Sequence, residues 1–280
     1  MKSLAVIMTV HNRKNKTIQC LDSLSKVNNI PDYDVFMCDD ASTDGTVEAV
    51  QEKYPKTIIV KGNGSCYWTR GMFLAMKEAS KGDYSLYLMV NDDVLFSNEM
   101  WNIMDETLNN RKDVGVTGAT RSAITGNLTY SGAEFYHSDG RSYVGTKIPP
   151  NGKNNNVCDV SNWNCFLISK DIITSVGLID PVYEHSFGDF DYTLRMKSCG
   201  MKVVVSCDYI GVCESNSIAG TYRDGKIPGR ERIKKIFSPT GLPFKSWSTF
   251  VKRYYKTNII KNLYGPYIKL IISIILKRDC

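Results

Sequence analysis

Short apolar runs rich in Val, Ile, Met and Tyr recur along the first half of this 280-residue chain, and they constrain its fold more than any other feature. The segments between the first four runs have the length and apolar spacing of helices. This β-α-β-α order predicts an α/β fold with a mostly parallel, doubly wound, Rossmann-like sheet and helices on both faces. Ligands bind such a sheet outside the carboxyl ends of its strands. The runs lie near residues 4–10, 33–38, 57–60, 84–90 and 113–118.

The middle of the chain predicts a covering region and the last elements of the sheet. Between residues 127 and 164 the helical period disappears and Gly, Asn, Ser and Pro are frequent, so we expect hairpins or ordered loops folded over the binding crevice. An apolar run at 166–168 predicts another strand, residues 188–197 a helix, and 201–206 the last strand. The predicted body of the protein is therefore residues 1–215.

The cysteines favour a reducing compartment. There are nine, an odd number, and no two of them are spaced as Cys-x-x-Cys, which argues against a zinc site and against a disulfide framework. The first apolar run is shorter than most signal-peptide cores and continues directly into polar His11-Asn12-Arg13. We interpret that run as a buried strand and expect a cytoplasmic protein.

Charge divides the chain near residue 222. Residues 1–222 hold 21 Lys and Arg against 26 Asp and Glu, whereas residues 223–280 hold 14 against 3. A basic block of this kind predicts an anionic partner surface. Because no recognised nucleic-acid-binding module accompanies the charge, we expect a membrane leaflet rather than nucleic acid.

The basic C-terminal extension, residues 216–280, predicts an amphipathic helix that Gly265-Pro266 should end. The apolar run beyond that break is too short to cross a bilayer. The apolar face of the helix suits peripheral binding at the inner face of the plasma membrane. Alternatively, it packs on the body or on a second copy in a homodimer. That face holds Trp247, Phe250, Val251 and Tyr254.

Polar residues follow three of the predicted strands, at the edge where a ligand would bind. They lie in the segments Thr9 to Arg13, Asp39 to Asp44, and Asn91-Asp92-Asp93. Adjacent carboxylates repel each other, so Asp92 and Asp93 are easiest to explain if a divalent cation or several hydrogen-bond donors offset their charge. Asn and Asp also favour turns, and Thr43 or Asp44 could cap the following helix. A ligand site and a local turn both remain open on these residues alone.

The order and spacing of these segments resemble the glycosyltransferases of family 2, which are inverting enzymes with the GT-A fold. The resemblance covers roughly residues 3–215 and implies that fold for the body. Other segments resemble bacterial transferases of surface-polysaccharide assembly, such as capsule and O-antigen: Tyr67-Trp68-Thr69, Thr129 to Gly132, and Ile210 to Asn216. The family match rests on residues 6–13, 38–46, 91–93 and 188–192, with Arg195.

The resemblance implies a role for each segment. Thr9 and Asp40 would contact the nucleotide base, with Asp39 beside them. Asn91-Asp92-Asp93 occupies the position of the family's acidic D-x-D motif, with Asn91 in place of its first carboxylate. Asp93 would ligate the metal there, and Asp92 would lie near the ribose and diphosphate. Mn²⁺ or Mg²⁺ suits such oxygen ligands. The remaining expected substrate contacts are Asn12, Arg13, Asn63, Trp68, Arg70, Asn91, His185 and Asp191.

A second carboxylate centre is expected near residue 189. The resemblance makes Asp189 the general base that removes the proton of the acceptor hydroxyl. The residues are compatible with this role, because Asp191 and Arg195 stand four apart on the predicted helix and can pair, which leaves Asp189 unpaired. Alternatively, Asp189 only caps the helix. Many relatives carry a His after the next strand, but residues 213–216 contain none, so no third metal ligand is identified.

With the resemblance, these residues predict a metal-dependent, inverting hexosyl- or deoxyhexosyltransferase. It would move sugar from a nucleotide-diphosphate sugar to a hydroxyl of a surface polysaccharide or a lipid-linked oligosaccharide. A nucleotidyltransferase acting on sugar phosphates could share the acidic pair, but the basic segment after the first strand lacks the expected glycines. A catalytically silent glycan-binding scaffold is disfavoured by the presence of Asp93 and Asp189. His185 could be merely structural, and Arg70 could be a solvated residue at a helix start.

Overall fold

A computed structural model describes residues 4–138 and 141–280. Each apolar run of the first half is a strand, and a helix occupies each interval between the first four. The strands are β1 Leu4–Val10, β2 Tyr33–Asp39, β3 Ile58–Lys61, β4 Leu86–Val90, β5 Leu95–Phe96, β6 Val114–Arg121, β7 Leu128–Tyr130, β8 Gly132–Ser138, β9 Arg141–Lys147, β10 Val157–Cys158, β11 Val160–Ser161, β12 Cys165–Ser169 and β13 Lys202–Val212. The helices are α1 Lys14–Leu24, α2 Thr46–Lys53, α3 Tyr67–Ala79, α4 Met100–Leu108, α5 Lys170–Val176, α6 Gly188–Ser198, α7 Gly229–Ile236, α8 Phe244–Tyr254 and α9 Ile259–Ile275.

The main sheet confirms the predicted architecture. Its strand order is β10-β13-β6-β12-β4-β1-β2-β3, with β5 paired to β13 and β7 paired to β6. β1 pairs in parallel with β2 and β4, β2 with β3, and β6 with β13. β12 lies antiparallel between β4 and β6, with Cys165 opposite Val90. The chain therefore enters β12 at the same edge where the parallel strands end.

The residues of β1 alternate between two cores, and this is why both faces of the sheet carry helices. Leu4 and Val6 pack in one core with residues of α1, α2 and α4. Ala5 and Ile7 pack in the other with residues of α3, α5 and α6. A strand that is buried on both faces needs apolar residues at every position. The sequence of β1 is accordingly a continuous apolar run rather than an alternation of polar and apolar residues.

Short strands occupy the region between β6 and β12, as the loss of helical period predicted. β8 pairs antiparallel with β9 and with β11 to form a second, three-stranded sheet. The connection from β11 to β12 passes the carboxyl edge of the main sheet, where the carbonyl of Asn164 accepts the N–H of Asn91 at 3.1 Å. A covering segment thus lies directly beside the end of β4.

The apolar face of α8 packs on the body. Trp247 and Phe250 are buried, and the Phe250 ring contacts those of Phe135 and Tyr183. Of the alternatives left open for this face, packing on the body is the one observed, so this face is not available to a membrane. The core cluster that results spans both sides of residue 215, where the sequence placed a boundary.

Gly265-Pro266 does not end a helix, contrary to the prediction. α8 already ends at Tyr254, and α9 continues through both residues. An interior proline removes one backbone hydrogen bond and strains its own turn, whereas α9 is held on the body farther along by buried Leu270 and Ser273. Tertiary packing therefore overrides the local signal. Within the described parts of the chain, no helix combines the length and apolar character needed to cross a membrane.

Candidate active site

The polar strand ends line one cavity of about 680 Å³ at the carboxyl edge of the sheet. β1 and β2 end side by side, since Val10 is paired with Asp39, and β4 ends next to β1. The chain segments that leave these strands must therefore share one crevice. The predicted site residues that line it are Thr9, Arg13, Asp40, Trp68, Asn91, Asp92, Asp93, His185 and Asp189.

Arg13 bridges the two adjacent carboxylates at the end of β4. Its Nη1 lies 3.1 Å from Asp92 Oδ1, and its Nη2 lies 2.6 Å from Asp93 Oδ2. Asp92 is 3% exposed and also accepts the Thr17 hydroxyl at 3.4 Å. Burial raises the pKa of Asp92 to about 6, although the charge of Arg13 opposes this rise. Arg13 thus supplies the positive charge that offsets the two neighbouring carboxylates.

Asp93 is the more accessible member of the pair, with 18% of its side chain exposed against 4% for Asp92. Its Oδ1 accepts the thiol of Cys213 at 3.6 Å. Burial raises the pKa of that thiol to about 12, and the Asp93 charge adds to the rise, so Cys213 is protonated at neutral pH. Carboxylate oxygens suit a hard divalent cation, whereas a protonated thiol does not bind one.

Too few protein groups meet at the acidic pair to enclose a metal ion. Among residues 4–138 and 141–280, no three His, Cys, Asp or Glu side chains are arranged to hold one. Asn91 of the same motif is committed elsewhere, because its Oδ1 accepts the indole N–H of Trp68 at 2.7 Å. A cation bound at Asp93 would therefore need further oxygen atoms from a ligand.

Asp40 organises the loop that leads into α3. Its carboxylate accepts the backbone N–H groups of Gly64, Cys66 and Tyr67 at 2.8 to 3.1 Å. Burial disfavours its ionised form, but these hydrogen bonds outweigh burial and lower the pKa. The loop approaches so closely that a Cβ on Gly62 would lie 2.7 Å from Asp40 Oδ1. Asp40 fixes the wall of the cavity, and its oxygens are already well occupied.

Asp189 stands at the start of α6 on another side of the cavity. Its Oδ1 accepts the N–H of Phe190 at 2.9 Å, and its Oδ2 lies 3.5 Å from the Asn162 amide nitrogen. Burial raises its pKa to about 6, and these hydrogen bonds limit the rise. No side chain caps α6, whose N-cap residue is Phe187. Among the residues that the structure describes, Asp189 forms no ion pair, and its carboxylate lines the cavity with a pKa of about 6.

Asp191 pairs with Arg195 as predicted, at 2.8 Å. It is fully buried and also accepts hydrogen bonds from Arg253, Tyr254 and the Tyr183 hydroxyl. The structure therefore corrects its expected contact with substrate, because four donors surround the carboxylate outside the cavity lining. Asp191 instead joins α6 to α8.

The structure does not bring Asn12, Asn63, Arg70 or Asp39 to the cavity lining. Asn12 and Asp39 brace the loop after β2: Asn12 Oδ1 accepts the N–H of Thr43 at 2.7 Å, and Asp39 accepts that of Ser42. Exposed Asn63 accepts the N–H of Ser65 at 2.9 Å. Arg70 pairs with Glu184 at 3.1 Å and donates to a carbonyl of the same loop. These contacts give the four side chains local roles in loop geometry.

Thr9 and His185 line the cavity, and each makes a hydrogen bond to a neighbouring segment. The Thr9 hydroxyl donates to the carbonyl of Cys38 at 3.2 Å. The carbonyl of His185 accepts the Thr69 hydroxyl at 2.9 Å, which ties its loop to α3. Burial lowers the pKa of His185, so the imidazole is neutral at neutral pH. It is therefore suited to hydrogen bonding rather than to an ionic contact.

Sequence reasoning missed a group of cavity residues just before β12. Asn162, Trp163 and Asn164 line the cavity, and the buried Trp163 ring stacks on Phe166 and meets the edge of Trp68. The signal was present, since this polar and aromatic triplet directly precedes an apolar run. The sequence predicted that this region folds over the crevice, but it did not predict the antiparallel direction of β12, which brings these three residues to the cavity. Other missed lining residues are Tyr130, Phe187, Phe190, Asn216 and Thr240.

The fold and this cleft define the class of the protein as a GT-A glycosyltransferase. Residues 5–175 match the family described as glycosyl transferase family 2, which is more than half of the chain. The chain belongs to glycosyl transferase family 2. No curated protein matches it.

Two solved structures share the fold across nearly the whole chain. One is the mannosyltransferase PcManGT from Pyrobaculum calidifontis in complex with GDP-Man and Mn²⁺, with a TM-score of 0.57 and 13% identity, covering 98% of this chain and 70% of that one. The other is GalNAc-T7 with UDP, GalNAc and Mn²⁺, with a TM-score of 0.59 and 10% identity. That alignment covers 99% of this chain but only 59% of GalNAc-T7. At these identities the likeness concerns the fold alone.

Proposed function

We propose that this protein transfers a sugar from a nucleotide-diphosphate sugar to a hydroxyl of a glycan, with inversion at the anomeric carbon. One observation carries the proposal: the acidic pair with Arg13 and the unpaired carboxylate of Asp189 line the same cavity. The first group suits an anionic diphosphate and its cation, and the second suits an acceptor hydroxyl. The two similar structures, solved with nucleotide or nucleotide sugar and Mn²⁺, support a nucleotide-sugar donor and a divalent cation.

A divalent cation, Mn²⁺ or Mg²⁺, fits the acidic pair. Asp93 would hold it and Asp92 would lie beside it, because both offer carboxylate oxygens and Asp93 is the more accessible. When bound, the cation would act as a Lewis acid on the departing diphosphate. Arg13 would then be free to pair with a phosphate oxygen instead of the two carboxylates. Asn91 and Trp68 would keep this end of the cavity in place.

Asp189 would act on the acceptor. Its ionised carboxylate would take the proton of the acceptor hydroxyl as that oxygen attacks the anomeric carbon from the face opposite the nucleotide. The bond between the anomeric carbon and the diphosphate oxygen breaks, and its electron pair leaves with the nucleoside diphosphate. A pKa of about 6 lets Asp189 be ionised at neutral pH while remaining a stronger base than an ordinary carboxylate. Asn162 would orient it.

We further propose that the acceptor is a surface polysaccharide or a lipid-linked oligosaccharide presented at an anionic membrane leaflet. The basic C-terminal extension supports a membrane partner, since residues 223–280 carry 14 Lys and Arg against 3 Asp and Glu. Asn216 and Thr240 from this extension line the cavity. The same part of the chain that would meet the membrane thus also borders the active site. Self-association through the extension is the competing prediction.

A donor panel tests the proposed reaction. The protein is incubated with nucleotide-diphosphate sugars and Mn²⁺ or Mg²⁺, and released nucleoside diphosphate is measured with and without glycan acceptors. We expect turnover with at least one donor, its loss in Asp93→Ala, and a loss of transfer with retained donor binding in Asp189→Asn. Asn63→Ala, outside the cavity, serves as the matched control.

Three results would contradict the proposal. Release of pyrophosphate from a nucleoside triphosphate and a sugar phosphate would indicate a nucleotidyltransferase. Donor or glycan binding without any turnover would indicate a silent scaffold. A product that retains the donor's anomeric configuration, determined by NMR, would exclude single-step inversion with Asp189 as base.

A further inference from the structure

Helix α9 presents to solvent an apolar face that none of the described residues of the body covers. Every third or fourth residue along it is exposed: Ile260 is 76% exposed, Ile275 is 72% exposed, and the residues between them at this spacing are about half exposed. A spacing of three and four places them on one side of a helix. This isoleucine face consists of Ile260, Tyr264, Ile268, Ile271 and Ile275.

The opposite side of α9 is fixed to the body. Leu270 and Ser273 are buried, and the carbonyl of Leu263 accepts the indole N–H of Trp247 at 3.0 Å. Trp247 belongs to the buried face of α8, which packs beside Phe187 at the start of α6. The isoleucine face is therefore held in one orientation relative to the cavity. It is not a frayed terminus that could fold back and bury itself.

The charge beside the isoleucine face is basic. Lys261, Lys269 and Lys277 are exposed on or next to α9. The acidic residues of the extension are engaged elsewhere: Asp224 and Asp279 accept backbone N–H groups, and Glu231 lies 3.9 Å from Lys235. An apolar stripe accompanied by exposed lysines matches a helix that lies in the plane of an anionic lipid surface. The lysine ammonium groups can reach the headgroups while the isoleucines enter the acyl boundary.

A second copy of the chain fits this surface less well. In a two-fold dimer the same patch meets itself, so the lysines of one copy would approach those of the other. No acidic residue of α9 would offset them, because residues 259–275 contain no Asp or Glu. Like charges placed together oppose association. Charge complementarity thus favours an anionic membrane over a homodimer.

We propose that the isoleucine face docks the protein on an anionic membrane leaflet, with α9 lying in the headgroup region. This assignment rests on the proposed membrane-presented acceptor and replaces the α8 face, which is buried. It also explains why α9 is the most apolar helix of the extension without being long enough to span a bilayer. Docking by α9 would keep the cavity at a constant height above the lipid, since α9, α8 and α6 are in contact.

Vesicle flotation of the full chain tests the docking surface. The probes are vesicles of phosphatidylcholine alone and of phosphatidylcholine mixed with phosphatidylglycerol. We expect binding to the anionic vesicles and a loss of at least roughly tenfold in the double variant Ile271→Asp, Ile275→Asp, because two isoleucines no longer enter the lipid. Lys261→Glu with Lys269→Glu should weaken binding to the anionic vesicles selectively. Ile124→Asp is the matched control, since Ile124 is 85% exposed on the body.

The outcomes separate this proposal from its alternatives. The proposal would be wrong if the wild-type protein did not bind anionic vesicles. It would also be wrong if the α9 variants bound them as well as the wild type does. A wild-type dimer in sedimentation velocity that Ile271→Asp with Ile275→Asp converts to monomer would contradict it too. Unchanged circular dichroism and thermal midpoint show that the variants fold. Transfer to a soluble acceptor without vesicles should persist in them, and its absence in the wild type would count against the proposed reaction instead.

Discussion

At the scale of single residues, the acidic pair depends on one guanidinium. Arg13 is 37% exposed in its side chain and contacts both Asp92 and Asp93. Asp92 itself is almost fully buried, so its charge has little solvent to stabilise it. The bridge therefore has a structural role before any substrate arrives. It also occupies the carboxylate oxygens that a divalent cation would use.

Replacing Arg13 should make the fold depend on metal. We expect Arg13→Met to lower the free energy of unfolding by about 1–2 kcal/mol without metal, because two carboxylates lose their counter-charge. Mn²⁺ should then stabilise the variant more than the wild type, since no guanidinium competes with it. Urea unfolding with and without Mn²⁺ measures both effects, with Lys14→Met as a nearby control. Equal stabilisation of variant and wild type by Mn²⁺ would argue that Arg13 and metal use different sites.

The pKa of Asp189 predicts how the rate of transfer falls at low pH. Burial raises this pKa to about 6, and a base must be ionised to accept a proton. The rate constant for transfer should therefore be steady above about pH 7 and fall roughly tenfold per unit below about pH 6. Measurement of kcat against pH at saturating donor and metal tests this pH dependence. A kcat that stays constant down to pH 5 would show that Asp189 is not the base. Asp189→Asn should lose the transfer activity, and any residual activity should not show this fall at low pH.

At the scale of elements, α6 is positioned by the C-terminal helix α8. The fully buried Asp191 of α6 accepts hydrogen bonds from both helices. Arg195 donates from α6 itself, and Arg253 and Tyr254 donate from α8. Arg253 also reaches Asp180 at 2.8 Å. Asp189 precedes Asp191 by two residues, so the direction of α6 decides where the proposed base points.

Breaking this link should affect both stability and transfer. We expect Arg253→Met to cost about 2 kcal/mol of unfolding free energy, less than for an isolated buried pair because Asp191 keeps three other donors. The transfer rate should fall roughly tenfold as α6 loses its fixed direction, with little change in donor affinity. Denaturation and steady-state kinetics measure the two effects, with exposed Lys252→Met as control. A normal rate in a destabilised variant would show that α8 stabilises α6 without positioning Asp189.

The sequence predicted the elements of the parallel half better than the rest, for a physical reason. A strand that is buried on both faces must be apolar throughout, so β1, β2 and β4 are visible in the sequence and their polar ends mark the cavity. The direction of a strand leaves no such mark. β12 was expected as a strand, but the sequence did not show that it runs antiparallel to β4 and β6. That direction depends on the long connection from β6 to β12, and it brings Asn162 to Asn164 to the cavity.

At the scale of the whole molecule, the change in charge near residue 222 does not coincide with a break in the packing of the core. The charge of a surface indicates which partners it can bind, whereas buried contacts indicate which segments fold as one unit. The apolar residues of α8 join Phe135, Tyr183 and Leu194 in one core cluster. The amphipathic period of that helix was visible, but a sequence does not say which partner an apolar face finds. We propose that body and extension fold as one cooperative unit.

Truncation distinguishes a folding unit from an appendage. A chain that stops at residue 215 leaves the partners of Trp247, Phe250 and Val251 exposed, and the burial of each such side chain contributes about 1.5–3 kcal/mol. The summed loss, about 5 kcal/mol or more, is comparable with the whole stability of an ordinary domain. We therefore expect this truncation to lose its cooperative thermal transition and to bind a hydrophobic dye.

A chain that stops at residue 257 is the matched control for that truncation. It loses α9 and the five residues after it, and within α9 Leu270 and Ser273 are buried while the isoleucine face is exposed. Because α8 keeps its place on the body, this shorter loss should preserve a cooperative transition at a moderately lower midpoint, with diminished vesicle binding. Calorimetry of the two truncations beside the full chain decides the matter. If residues 1–215 alone unfolded cooperatively at the same midpoint temperature as the full chain, the extension would not be part of the same folding unit.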